Sequence, residues 1–146
     1  MSTPYYGTVM NGKNGNTATW RYYTDKEVLI IDGGVMNLNQ FTLDEWKKDE
    51  APQIWLLDKW DQPATVGDAW YRINRRAKAV LFNGTDVRCL DAAFAPQSNS
   101  SSSYPDDGWD ELEYVGGAVN MENCLSANHA FDCCQNLKKF DVSGSR

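Results

Sequence analysis

Ala130-Phe131-Asp132-Cys133-Cys134-Gln135-Asn136-Leu137-Lys138-Lys139-Phe140-Asp141-Val142-Ser143-Gly144 is the clearest copy of a cassette written three times in the C-terminal half of the chain. Ala93-Phe94-Ala95-Pro96 followed by Trp109-Asp110-Glu111-Leu112-Glu113-Tyr114-Val115 gives the same Ala-Phe and then Leu-x-x-apolar, once Gln97 to Gly108 is set aside as an insertion. Ala77-Lys78-Ala79-Val80-Leu81-Phe82-Asn83-Gly84 lines up with Leu137-Lys138-Lys139-Phe140-Asp141-Val142-Ser143-Gly144, apolar at the first, fourth and sixth places and closing on Gly.

Ala77 to Leu112 is 35 residues, or 23 without the 12-residue insertion, and Leu112 to Leu137 is 25. That period lies in the leucine-rich-repeat range. A short strand with apolar residues on one side cannot bury that side alone, so copies stack and share a core. Side chains alternate along a strand. Val80 and Phe82, Val115, and Phe140 and Val142 are therefore expected to face inward. Ala79, Leu81, Tyr114, Lys139 and Asp141 would line an open face, with Glu113 and Lys138 at its edge. The expected fold is a β-rich α/β chain: a short leucine-rich-repeat-like solenoid behind an N-terminal β-hairpin cap. The cap region spans 1–76 and the repeat-like region 77–146, with its inserted loop at 97–108, as one compact unit. The competing reading is an ordinary α+β domain whose strands share Leu-x-x-Val spacing by chance.

Upstream, Asn11-Gly12 and Asn14-Gly15 favour positive φ, so residues 1–15 read as an extended arm with turns. Thr17 to Tyr23 is dense in Thr, Trp and Tyr, Val28 to Ile31 is apolar, and the polar Thr24-Asp25-Lys26-Glu27 lies between, a β-hairpin signal. Thr42 with Glu45 three residues on is a capping box, predicting a two-turn helix that ends before Pro52. Ile54 to Trp60 is compatible with a strand or a short helix, and Asp68 to Arg76 reads as a short helix leading into the first cassette strand.

With 146 residues the chain is long enough for a real core. Its net charge of −6 argues against nucleic acid, because phosphate binding needs clustered Lys and Arg. The longest uncharged apolar run, Val28 to Ile31, is far below the roughly 20 residues a spanning helix requires, so no membrane insertion is expected. Met1-Ser2-Thr3-Pro4 has neither the basic start nor the apolar stretch of a secretory signal. Four cysteines are too few and too uneven for a disulfide scaffold, and no Cys-x-x-Cys occurs. Cys133 and Cys134 close only a strained ring if bridged, so they are expected as free buried thiols, while a Cys89–Cys124 bridge stays open.

The residues resemble the BspA-like leucine-rich-repeat proteins of bacterial and protist surfaces. Gly12-Lys13-Asn14-Gly15 followed by Trp20, and Leu29-Ile30-Ile31-Asp32-Gly33 followed by Met36, are similar to that family's opening. Ala77 to Gly84, then Val87, Leu90 and Ala93-Phe94, look like one of its repeats, and Phe131-Asp132-Cys133-Cys134-Gln135-Asn136-Leu137 like its Phe-x-x-Cys-x-x-Leu link. Three departures stand: Asn14 replaces the family Cys, the insertion interrupts a repeat, and the chain stops after the third strand. What the resemblance implies is the solenoid and a surface-exposed binding role, without naming a ligand.

Catalytic chemistry has little to work with. His129 is the only histidine, so a Ser-His-Asp or Cys-His arrangement must use it; on a helical turn it would share a face with Cys133 at i and i+4, but the same residues fall on the link between repeats. Asp106, Asp107, Asp110, Glu111 and Glu113 lack EF-hand spacing and read as a solvated acidic turn. The expectation is a non-enzymatic module for protein binding and adhesion, secreted or on the cell surface, with the cytoplasm also open. It needs no cofactor or metal, and its ligand is a host or neighbouring-cell protein. The binding residues would be Leu81, Tyr114, Glu113, Lys138, Lys139 and Asp141. Two alternatives remain: a carbohydrate-binding or small hydrolytic domain using exposed Trp55 or Trp60, and an acidic intracellular inhibitor.

Overall fold

The computed structural model describes residues 3–38, 55–60, 62–91, 93–94, 108–127, 130–131 and 134–141. The expected helix at 42–48, the body of the insertion, His129, Cys133 and Val142 lie outside them.

Trp20 and Tyr22 alternate with Arg21 and Tyr23 in strand β2 (Thr19–Tyr23), and Leu29 and Ile31 alternate with Val28 and Ile30 in β3 (Val28–Asp32). In each strand the first pair is buried and the second only partly so. The two strands form the expected antiparallel hairpin, Trp20 opposite Ile31 and Tyr22 opposite Leu29. Residues 5–9, expected as an extended arm, form β1 (Tyr5–Val9) on the outer edge of β2. Gly7 sits opposite Trp20, and a Cβ there would lie 2.3 Å from the indole, so only glycine admits the ring. Asn11, Gly12, Asn14 and Gly15 all take positive φ, as the Asn-Gly pairs predict. The segment from Ile54 to Trp60, open between strand and helix, contributes β5 (Leu56–Leu57), which pairs with β1.

The other edge of β3 carries a parallel series in chain order: β3, β8 (Ala79–Cys89), β9 (Tyr114–Asn120) and β10 (Lys139–Asp141). Val80 pairs with Val115 and Val115 with Phe140, which are the fourth places of the three cassettes. The first places, Ala77 and Leu112, are fully buried, and Leu137 packs partly buried against the core. The parallel run has four strands where the cassette counts three, because Leu29 pairs with Val80. The strand read only as half of a hairpin therefore uses both its edges. The N-terminal and repeat-like regions share one sheet and one core cluster.

After Asn83 the chain bends. Gly84 takes φ 80°, the register between β8 and β9 shifts there, and β4 (Val35–Asn37) pairs in parallel with the far half of β8. In β9 the bend falls at Gly117, φ 101°, where a Cβ would lie 2.5 Å from the Phe82 carbonyl oxygen. Beyond the bend the copies stay in step, since Leu90 N donates to Ser126 O at 2.9 Å and Phe94 N to Ala130 O at 2.8 Å.

Asp68 to Arg76, expected as a short helix, instead gives β7 (Asp68–Arg72), paired with β6 (Thr65–Val66), and a single helical turn α1 (Ile73–Arg76). The run Trp70-Tyr71 favours a strand, and Thr65 and Val66 pair with Arg72 and Asp68 at its two ends. Arg76 reaches Glu27 at 2.5 Å, and Tyr22 donates its hydroxyl to the same carboxylate, tying the turn to the hairpin. The architecture is thus β-rich mixed α/β: one mixed sheet of eight strands, a separate two-stranded hairpin, and few, short helices.

Aromatic rings fill the core on one side. Trp55 stacks on Trp109 at 5.7 Å, Phe94 meets Trp109 edge-on at 4.9 Å, and Trp55 Nε1 donates to Ala93 O at 2.6 Å. Such pairs add roughly 0.5–1.5 kcal/mol beyond the area they bury. No helix among the described residues is long and apolar enough to cross a membrane.

Candidate functional site

The strand pairs fix which residues share the sheet face turned away from the core. One row across it reads Tyr23, Val28, Ala79, Tyr114 and Lys139, and the next reads Tyr6, Arg21, Ile30, Leu81, Gly116 and Asp141. Val28, Ile30, Ala79, Leu81 and Tyr114 are all partly exposed, whereas Leu29, Ile31, Val80 and Val115, one residue along, are fully buried. Alternation therefore leaves an apolar stripe in contact with solvent at the middle of the sheet.

Leu81 lies opposite Ile30 on one side and Gly116 on the other. Tyr114 sits two residues before Gly116, and its hydroxyl would be 2.6 Å from a Cβ placed there. The ring thus lies over the bare glycine, and a Cβ at 116 would meet both it and the Asp141 carbonyl oxygen of β10. Glu113 and Lys138 form an ion pair at 2.7 Å beside this row, and the hydrogen bond from Lys138 holds the Glu113 carboxyl below its usual range. Lys139 and Asp141 pair at 3.4 Å on β10. Leu81, Tyr114, Lys139 and Asp141 thus share the outer face at the β8–β10 end of the sheet, while Glu113 and Lys138 come just before β9 and β10 and pair at its margin. Phe140 lies on the core side, as expected, and meets Phe131 at 5.0 Å, yet it is 39% exposed because β10 is the last strand of the sheet.

Sequence reasoning missed the residues that β2 and β3 add. Arg21 donates from Nε and Nη2 to the two oxygens of Asp32 at 2.8 and 3.2 Å, and from Nη1 to the Tyr23 hydroxyl at 2.8 Å. Burial pushes the Asp32 carboxyl up, but its hydrogen bonds from Arg21 and Asn83 outweigh that and hold it below the usual range. The same hydrogen bonds with Asp32 and Tyr23 push the Arg21 guanidinium well above its usual value. The alternation of Trp20 and Tyr22 with Arg21 and Tyr23 was the available signal, but it points to this face only once the parallel neighbour of β3 is known.

Trp55, one of the two tryptophans named for a cleft, is 3% exposed inside the aromatic core, so it presents nothing to a ligand. Trp60 is 70% exposed. Cys89, Cys124 and Cys134 carry free thiols, so the open question of a Cys89–Cys124 bridge resolves to none. Burial pushes the Cys89 thiol up to about 11. Cys134 Sγ packs 3.2 Å from the Phe94 carbonyl oxygen. Comparison with family models, curated proteins and solved structures finds no match for this chain.

Proposed function

We propose that the chain is a short leucine-rich-repeat-like solenoid whose stacked parallel strands display a protein-binding face. On this reading it is a non-enzymatic adhesion or recognition module of a secreted or surface protein, as the resemblance to BspA-like proteins implies. The stacking of cassette on cassette, fourth place on fourth place and Phe94 on Phe131, supports the solenoid. The observation that carries the binding reading is the stripe formed by Ile30, Leu81 and Tyr114, partly exposed and bordered by the pairs Arg21–Asp32 and Glu113–Lys138. An aromatic and aliphatic centre inside a polar rim is the arrangement that concentrates interface energy.

The test is calorimetric titration of the chain with each purified partner recovered by affinity capture from surface-protein extracts. Leu81→Ser and Tyr114→Ala should each weaken binding at least about tenfold while the melting temperature moves by only a few degrees. Affinity unchanged in both variants for every partner would contradict the reading.

A further inference from the structure

At the β1 end of the same sheet face the surface falls into a cleft of about 850 Å³. Tyr6, Arg21 and Asp32 line it from the sheet, and Asp58, Lys59 and Trp60 from the loop beyond β5. Tyr6 is 68% exposed and Trp60 70%, so neither ring is held in place by the core. Trp60 is nevertheless presented from a fixed backbone, since Asp58 Oδ1 accepts from the backbone N–H groups of Trp60 at 2.8 Å and Gln62 at 3.1 Å. Lys59 Nζ lies 4.4 Å from the centre of the Trp60 ring, a cation–π contact that restrains the ring further.

The polar wall is equally fixed. Arg21 grips Asp32 in a two-point pair, and Asn83 Nδ2 donates to Asp32 Oδ1 at 2.9 Å. These lining charges are two cations, Arg21 and Lys59, and two anions, Asp32 and Asp58, so the cleft favours no net charge in its ligand. Beyond these bonds Asp32 keeps an acceptor site and Arg21 keeps N–H donors, so a ligand carrying both donors and acceptors matches them, and the aromatic walls favour one that also presents an apolar face. A pyranose ring has both, with C–H groups on its face and hydroxyls around its rim. A proline-rich peptide, the other common guest of aromatic clefts, lacks N–H donors at its prolines and so offers nothing to the acceptor position that Asp32 keeps beyond its bonds to Arg21 and Asn83. The volume suits a short oligosaccharide.

We propose that this cleft is a binding site for a neutral saccharide, one pyranose face lying on Trp60 or Tyr6 and its hydroxyls bonding to Asp32 and Arg21. The site stands whether or not the Leu81–Tyr114 stripe binds protein.

Titration of the intact chain with cellohexaose, xylohexaose, mannohexaose and chitohexaose, followed by calorimetry and by the Trp60 indole resonance, tests it. At least one should bind with a Kd between about 10 μM and 1 mM, without dependence on salt because the ligand is uncharged. Trp60→Ala, Tyr6→Ala or both should weaken it at least about tenfold with an unchanged melting temperature, and Leu81→Ser should leave it unchanged. The proposal is overturned if none of the four binds at about 10 mM, or if binding survives both aromatic substitutions. Tighter binding of a decaproline peptide than of every saccharide also overturns it.

Discussion

Phe94 stacks on Phe131 with ring centroids 5.4 Å apart and planes 12° from parallel. The two residues hold the same place in successive cassettes, and the backbone N–H of Phe94 reaches Ala130 of the next copy. The contact joins two segments of the core that lie 37 residues apart in the chain. Phe94 is fully buried, so Phe94→Ala should cost about 3–5 kcal/mol in chemical denaturation. Phe131→Ala, at a half-buried position, should cost less, and the double-mutant cycle should return a coupling of about 0.5–1.5 kcal/mol. A coupling near zero would mean that the rings touch without supporting one another.

Gly117 is the tightest bend in β9. Alanine there combines a φ of 101° with a Cβ 2.5 Å from the Phe82 carbonyl oxygen, so β8 and β9 must separate to admit it. Gly117→Ala should destabilise by at least about 2 kcal/mol. Gly12→Ala, with the same sign of φ but nothing within 4 Å, should cost about 1 kcal/mol. Equal losses at both sites would show that close packing at Gly117 contributes nothing.

These features explain how much of the fold was legible in the sequence. The register Ala77, Leu112 and Leu137 could be read because burial of a strand's inner side repeats the same apolar places in each copy. The fourth parallel strand could not, since Val28 to Ile31 is apolar on both faces and the hairpin signal speaks only of its β2 edge. The β7 strand was hidden for a similar reason, as its partner Thr65–Val66 is only two residues long and leaves no periodicity. At the candidate site, strand alternation alone placed Leu81 and Tyr114 on one face. That Trp55 is buried while Trp60 is exposed depends on contacts of Trp55 with Ala93, Phe94 and Trp109, far along the chain, which local sequence does not encode.

Asp32 makes stability depend on pH in a definite direction. Its carboxyl is held lower in the folded chain than in the unfolded one, so its contribution is fully present above about pH 4 and is lost as pH falls through the folded value. Asp32→Asn should therefore cost about 1–2 kcal/mol at neutral pH, allowing for the partial exposure of both partners. The gap between wild type and variant should narrow as the solution is made more acidic. Denaturation curves at pH 7 and at about pH 3 check this, and a gap that widens in acid would contradict it.

The thiols should react unequally. At pH 8 a buried thiol pushed up to about 11 is almost wholly protonated, so iodoacetamide should leave Cys89 unmodified in the folded chain. Cys124, which is partly exposed, should label at least about tenfold faster. Mass spectrometry after timed alkylation, without reductant, reads both rates, and equal rates at the two sites would contradict the burial of Cys89.

On the proposed reading, binding uses the partly exposed residues of strands β3, β8 and β9 and spares their buried neighbours. Methyl-resolved NMR of the chain titrated with a purified protein partner tests this most directly, because adjacent residues on one strand point to opposite sides. The largest shifts should fall at the methyls of Val28, Ile30, Ala79 and Leu81, with Leu29, Val80 and Val115 moving little. The largest shifts at the buried set, or at methyls remote from this face, would contradict it.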